Sequence, residues 1–98
     1  FAFDDLPLLT QKARVLLFDG LSTELVTLAL RGTSAALAES VLSAIGARSR
    51  RMIEAELGQG SDGVPLADIT AARKTIVTTT IRLSREGAFE LPSTQDAA

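Results

Sequence analysis

The chain has 98 residues, enough for one domain with a single core, and 46% of them are hydrophobic but only 4% aromatic. Its 10 basic and 12 acidic residues give a net charge of -2, which argues against a nucleic-acid binder that works through bulk positive charge. The absence of cysteine and histidine excludes disulfides, thiol catalysis, and the commonest general base and zinc ligands.

Polar caps and glycines predict short helices in the first part of the chain. The adjacent carboxylates of Asp4 and Asp5 lack the ligand count of a calcium loop, so we expect them at the start of a helix. Thr10 can cap a helix over residues 11–19, which Gly20 ends. The expected buried residues of this helix are Val15, Leu16 and Phe18.

Two further helices are each predicted to begin at a serine. Ser22 caps the first, which stops at residues 31–32, and Ser34 caps the second, which covers residues 35–45. The first carries the apolar residues Leu25, Leu28 and Leu30. The expected core residues of the second are Leu37, Val41 and Leu42.

Residues 46–57 predict a helix whose charges oppose its dipole, with Gly46 as its N-cap. Its charged residues are Arg48, Arg50, Arg51, Glu54 and Glu56. The arginines lie in the first turns, where the dipole favours acids, and the glutamates lie towards the end, where it favours bases. Each misplaced charge destabilises the helix by roughly 0.3 to 1 kcal/mol at low salt, whereas a local ion pair stabilises it by only about 0.2 to 0.5 kcal/mol. We therefore expect these charges to meet a partner, the alternative being an ordinary solvated face.

The helical period of 100° per residue divides this charged helix into two faces. The outer stripe carries Arg48, Arg51 and Ala55, with Glu54 at its edge and Glu56 near the boundary. The residues expected to point to the core are Met52, Ile53 and Leu57. The ion pairs open to Glu54 are with Arg50 at i,i+4 and with Arg51 at i,i+3.

The last long segment, residues 67–86, gives conflicting signals. Its unbroken β-branched run over residues 75–81 favours a strand by propensity. However, Ile69, Ile76 and Leu83 recur every seven residues, so we predict one helix, ended by Gly87. The same stripe is expected to include Ala72 and Thr80.

Loops and a tail complete the predicted organisation. The glycine-rich residues 58–63 predict a flexible loop, without the Gly-Lys-Ser/Thr ending of a phosphate-binding loop. Residues 88–91 are expected to form a short extended finish anchored by Phe89, and residues 92–98 a frayed tail.

No combination of residues predicts catalysis, because the serines have neither a histidine nor a plausible lysine neighbour. We therefore expect no enzyme, no cofactor, no metal site and no small-molecule substrate. No apolar run approaches the length of a membrane span, so a soluble chain is expected.

Four segments carry a resemblance to a known family. Phe-Ala-Phe-Asp-Asp-Leu at residues 1–6 is similar to the end of a Met-Phe-x-Phe hinge and the helix after it. Leu-Ala-Leu-Arg-Gly at 28–32 is similar to Leu-Ala-Leu-Lys-Gly, and residues 46–57 to a charged helix. Arg-Leu-Ser-Arg-Glu-Gly at 82–87 is similar to a closing Arg-Arg-Leu-x-x-x-Gly. In this order they resemble the C-terminal domain of the flagellar motor switch protein FliG.

The resemblance implies an all-α domain over residues 1–98, folded over 1–91 and with a flexible tail at 92–98. Its fold would be a compact bundle of about six helices, with an armadillo-like, right-handed superhelical arrangement as one option. The implied function is that of a rotor domain in motility and chemotaxis, which generates torque and takes part in direction switching. It would lie at the flagellar basal body, on the cytoplasmic face of the inner membrane. The implied partners are the cytoplasmic loop of the stator protein MotA, the switch protein FliM and neighbouring copies of FliG.

The resemblance also assigns positions residue by residue. Arg31 takes the family's lysine position, Arg48 its arginine position, and Glu56 the second of two acidic positions. Ala55 stands where the first acid is expected, and Pro65 where a final arginine is expected. The expected stator-binding residues are Arg31, Arg48, Arg51, Glu54 and Glu56.

A helical nucleic-acid-binding or adaptor domain is the alternative of another class. It would use Arg48, Arg50 and Arg51, on phosphates in the nucleic-acid case. The net charge and the position of Glu54 in the same stripe argue against it.

Overall fold

The computed structural model describes residues 1–60 and 63–91, and helices account for all of the regular structure in that part of the chain. A 3-10 helix at Phe3–Leu8 comes first. The α-helices that follow are α1 (Gln11–Asp19), α2 (Thr23–Leu30), α3 (Ala35–Leu42), α4 (Ala47–Gly58) and α5 (Leu66–Arg85). The predicted all-α class with about six helices is confirmed. The tail expected at residues 92–98 and part of the glycine-rich loop, residues 61–62, lie outside the described residues.

Side-chain caps begin α1, α2 and α3 where the sequence places them. The Thr10 Oγ1 accepts a hydrogen bond from the Ala13 N–H at 3.1 Å. The Oγ atoms of Ser22 and Ser34 accept in the same way from Leu25 and Leu37, both at 3.2 Å. Each cap satisfies one amide that the first turn of a helix leaves without a partner.

The end of α3 differs from the prediction, because the helix stops at Leu42 and not at residue 45. Beyond this point the Ala44 and Ile45 amides donate to carbonyls three residues back, on Val41 and Leu42. These bonds belong to a tighter turn than the α-helix, so the chain leaves the helical path before Gly46 begins α4.

Replacing Ser34 by alanine tests the cap of α3. We expect the free energy of unfolding to fall by about 1 kcal/mol, because the Leu37 amide loses its acceptor. Urea denaturation of both proteins measures the difference. Ser40→Ala in the same helix is the control, because the Ser40 hydroxyl only donates to the Ala36 carbonyl, which α3 already uses, so we expect a change within about 0.5 kcal/mol. Equal effects of both substitutions would contradict the capping role.

The β-branched run is helical, and α5 matches its predicted ends to within one residue on each side. The hydroxyls of Thr75, Thr79 and Thr80 donate to carbonyls four residues back at 3.0, 2.8 and 2.7 Å. Their polar groups are therefore satisfied within the helix. Ile69, Ala72, Ile76 and Thr80 are buried, as expected, and Leu83 is half-buried. Burial of this stripe outweighs the preference of the β-branched run for a strand, because strand propensity depends strongly on context.

The helices enclose a core of aliphatic side chains. α2 packs against both α4 and α5, and the 3-10 helix packs against α3 and α5. The largest fully buried side chains are Leu6, Leu17, Val26, Val41, Ile53, Ile76 and Thr80. Phe89 is partly buried against this core, which agrees with its predicted anchoring role. No helix in the described part of the chain is long and apolar enough to cross a membrane.

Two core predictions for α1 are wrong. Val15 and Leu16 are 43% and 44% exposed, and the inner positions of α1 belong to Ala13, Leu17 and Phe18. In α2, Leu25 and Leu28 are only half-buried. The buried residues of α2 are Val26, Thr27, Ala29 and Leu30. Both helices carry consecutive apolar residues, so several stripes fit the helical period equally well, and the neighbouring helices decide which stripe is buried.

Candidate partner-binding surface

The helix α4 is held to the core along one narrow line. Ile53 is 1% exposed, and Leu57, one turn further on, is half-buried against the core cluster. This line turns the opposite side of α4 outwards. The exposed charged residues there are Arg48, Arg51, Glu54 and Glu56, which we call the charged face of α4. The outward orientation predicted for these residues is therefore observed, and Ala55 is exposed among them.

Met52 departs from the prediction, because its side chain is 54% exposed. It lies 100° from Ile53 around the helix, on the side of α4 that faces α2. Met52 instead lines a groove between α2 and α4. An exposed methionine offers an adaptable apolar contact to a partner.

The α2/α4 groove has a volume of about 590 Å³ and combines an apolar lining with charged edges. Its apolar lining comes from Leu28, Met52, Ala55 and Val64. Its charged residues are Glu24, Arg31 and Glu56. Two predicted site residues, Arg31 and Glu56, thus line one groove, although Arg31 directly follows α2 and Glu56 lies on α4. Sequence reasoning missed Glu24 and Val64, since only the packing of α2 beside α4 brings them there.

Arg31 lies at the junction between α2 and the C-terminal end of α4. Its guanidinium donates a hydrogen bond from Nη1 to the carbonyl of Gly60, just beyond α4. The C-terminal end of a helix carries partial negative charge, which favours a cation at this place. The next residue, Gly32, has a φ of 77°, in the left-handed region that glycine adopts most readily, so the chain can turn directly after Arg31.

Arg50 forms the ion pairs of α4, and it is the only basic residue of that helix that is half-buried. Its Nη2 lies 2.7 Å from Oε2 of Glu39 on α3, and its Nε lies 3.3 Å from Oε2 of Glu54. The hydrogen bond with Glu54, followed by the charge of Glu39, raises the pKa of Arg50 above its ordinary value. Through Glu39, Arg50 connects α3 to α4.

The other two arginines of α4, Arg48 and Arg51, form no such ion pairs among the described residues. The i,i+3 pair of Arg51 with Glu54 does not form, since Glu54 pairs with Arg50. Within residues 1–60 and 63–91, Arg48 and Arg51 have no ion-pair partner. Arg48 lies in the first turn of α4, where the helix dipole disfavours a cation, and no salt bridge there offsets this position.

The remaining predicted features are structural. Asp5 accepts a hydrogen bond from the Ala2 N–H at 3.0 Å, as expected for a carboxylate at a helix start. Pro65 is the N-cap of α5, a role that suits its fixed φ. Across the described ranges, no group of three or more potential metal-ligating side chains comes together.

Comparisons with known proteins converge on one family. The FliG C-terminal domain family matches residues 1–91. The flagellar motor switch protein FliG of Rhizobium meliloti (strain 1021) is 47% identical over 98 residues, which are 100% of this chain and 28% of that protein. The FliG of Agrobacterium fabrum (strain C58 / ATCC 33970) is 38% identical over 91 residues, which are 93% of this chain and 26% of that protein. The chain thus spans less than a third of these relatives.

A solved structure shows the same fold. Full-length FliG from Aquifex aeolicus matches 89% of this chain and 27% of its own chain, with a TM-score of 0.79. The identity is 18%, so this likeness concerns the arrangement of helices and not the chemistry of individual side chains.

Proposed function

This chain belongs to the FliG C-terminal domain family, and on that premise we propose that it is a rotor domain of the flagellar motor switch. Its role would be to receive force from the stator protein MotA, to generate torque and to take part in direction switching. We assign it no catalytic activity and no cofactor. Its place would be the flagellar basal body, on the cytoplasmic face of the inner membrane.

The observation that carries this proposal is the charge order on α4. Arg48 and Arg51 are exposed and have no ion pair among the described residues. Arg48 also lies in the first turn of α4, where the helix dipole disfavours a cation, and no salt bridge within the described residues offsets that cost. Charges placed in this way are suited to a partner that carries the complementary order. We propose that the cytoplasmic loop of MotA contacts Arg31, Arg48, Arg51, Glu54 and Glu56.

The α2/α4 groove adds an apolar component to the same surface. Met52 and Ala55 lie beside Glu56, and Arg31 lines the same groove. Ala55 occupies the position where the family resemblance places an acid, so this chain offers apolar contact where a second negative charge would stand. Desolvated apolar contacts strengthen an interface, whereas exposed charges mainly steer and orient the partner.

The packing of α4 supports a mechanical role. Ile53 and Leu57 anchor α4 in the core, and α2 packs against both α4 and the long helix α5. A push on the charged face of α4 would therefore pass through close-packed side chains to the rest of the domain. Contacts with FliM and with neighbouring FliG copies are proposed from family membership.

The nucleic-acid alternative has weaker support. It needs Arg48, Arg50 and Arg51 together, but Arg50 already pairs with Glu39 and Glu54. The net charge of -2 also repels a polyanion.

Salt dependence of binding tests the proposal in vitro. A peptide with the sequence of the MotA cytoplasmic loop should bind the domain at low salt, and its association rate should fall on the order of tenfold between 50 mM and 500 mM NaCl, because added salt screens exposed charges. Stopped-flow fluorescence with a labelled peptide measures this rate.

The control is the domain with Arg48→Gln and Arg51→Gln. This variant should show slower association at low salt and a flatter salt dependence. A peptide that binds the wild-type domain and this variant alike would exclude the charged face as the docking surface.

A further inference from the structure

Arg73, in the middle of α5, contacts two other parts of the fold, the end of α2 and the N-terminal 3-10 helix. Its Nε donates to the carbonyl of Ala29 at 2.9 Å, 44 residues away in sequence, and its Nη2 donates to the carbonyl of Arg31. Its guanidinium carbon lies 5.3 Å from the centroid of the Phe3 ring. Arg73 is half-buried, so these contacts form partly out of water, where cation–π and charge-assisted bonds are strongest.

The two carbonyls that Arg73 binds lie at the end of α2, where helical carbonyls lack partners from within the helix. An arginine suits this position because its planar fork donates two bonds while its face rests on an aromatic ring. A lysine ammonium could keep the charge but not both contacts. The bond to the Arg31 carbonyl fixes the backbone from which the Arg31 side chain leaves.

Gly32 forms the turn beside this contact. It is the residue directly after Arg31, and its φ of 77° lies in the left-handed region that glycine adopts most readily. A Cβ added there would lie 3.9 Å from Nη2 of Arg73, in ordinary van der Waals contact. The left-handed turn at Gly32 ends α2, and Arg73 packs beside that turn. The Arg31 side chain then reaches across to the Gly60 carbonyl and lines the α2/α4 groove.

We propose that Arg73 is a positioning residue for Arg31, and that it ties the orientation of Arg31 in the partner-binding groove to Phe3 of the N-terminal segment. Arg73 itself does not line that groove; it acts through the end of α2. This inference rests on the proposed function for its binding and motility effects, whereas its structural effect on Arg31 does not.

The structural effect is measured by NMR on the 98-residue chain. Arg73→Lys keeps the positive charge but removes the planar guanidinium with its two donors, and Arg73→Met removes both the charge and the donors. In each folded variant we expect the Nε–Hε resonance of Arg31 to shift and the Thr33 amide, which donates to Leu30, to exchange faster. Lys74→Met, an exposed neighbour on α5, is the control and should leave both signals unchanged. An unchanged Arg31 resonance in Arg73→Lys would overturn the proposal.

The binding effect is measured with the MotA-loop peptide in a double-mutant cycle. Arg73→Lys should weaken binding by about tenfold, the scale of a lost charge-assisted contact. In an Arg31→Ala background the same substitution should change binding by less than about twofold, because Arg73 acts through Arg31. An equal loss in both backgrounds would overturn the positioning role and make Arg73 a general stabilising residue.

The two proposals fail in different ways. If the wild-type domain does not bind the peptide, the proposed stator contact fails, but the Arg31 resonance still reports on Arg73. If the peptide binds and Arg73→Lys leaves both binding and the resonance unchanged, the positioning role alone fails.

Discussion

Replacing Ile76 by alanine is expected to lower the free energy of unfolding by about 2 to 5 kcal/mol. Ile76 is 1% exposed and lies in the middle of the buried stripe of α5. The substitution removes core contacts and leaves a cavity, because the surrounding helices relax only partly. In a domain of this size such a loss is a large fraction of the total stability. Thermal and urea unfolding of the purified chain measure it.

Ile81→Ala provides the matched control for this prediction. Ile81 lies on the same helix and loses the same atoms, but its side chain is only half-buried. We expect a clearly smaller loss of stability, since less apolar surface leaves water there on folding. A midpoint unchanged by Ile76→Ala, or an equal loss for both substitutions, would show that the inner stripe of α5 is wrongly assigned.

Reversing two charges on α4, with Arg48→Glu and Arg51→Glu together, should strongly impair swimming while the domain stays folded. Arg48 lies in the first turn of α4, so a glutamate there gains from the dipole, about 0.3 to 1 kcal/mol at low salt. Stability is therefore expected to hold or rise slightly while function falls. Swimming in soft agar by cells that carry the full-length variant measures function, and the melting temperature of the isolated chain measures stability.

A second double reversal separates the position of the charges from their number. Lys12→Glu with Lys74→Glu changes the net charge equally, but these exposed lysines lie on α1 and α5. That variant should swim normally. Opposite reversals on the MotA loop should partly restore the α4 variant, because like-charged pairs become opposite pairs.

Two outcomes would contradict the proposed role of α4. Normal swimming by a stable, well-expressed Arg48→Glu/Arg51→Glu protein would make the charged face an ordinary solvated surface. Tight binding of duplex DNA by the wild-type domain at low salt would favour the nucleic-acid alternative.

The starts of the helices could be predicted from the sequence because the interactions that set them are local. Ser22 and Ser34 each accept from an amide three residues ahead. The sevenfold recurrence of Ile69 and Ile76 is likewise a property of one segment, and it correctly indicated a helix through a β-branched run. The outward face of α4 followed from its helical period for the same reason, except at Met52.

Only the tertiary structure decided which apolar side chains are buried and which charges meet. Leu16 and Leu17 are adjacent and chemically identical, yet only Leu17 is enclosed by other helices. The pairs of Arg50 with Glu39 and of Arg73 with the Ala29 carbonyl join residues on different helices. Burial and pairing of this kind depend on what stands opposite a side chain in space, and the period of one helix carries no information about its neighbour.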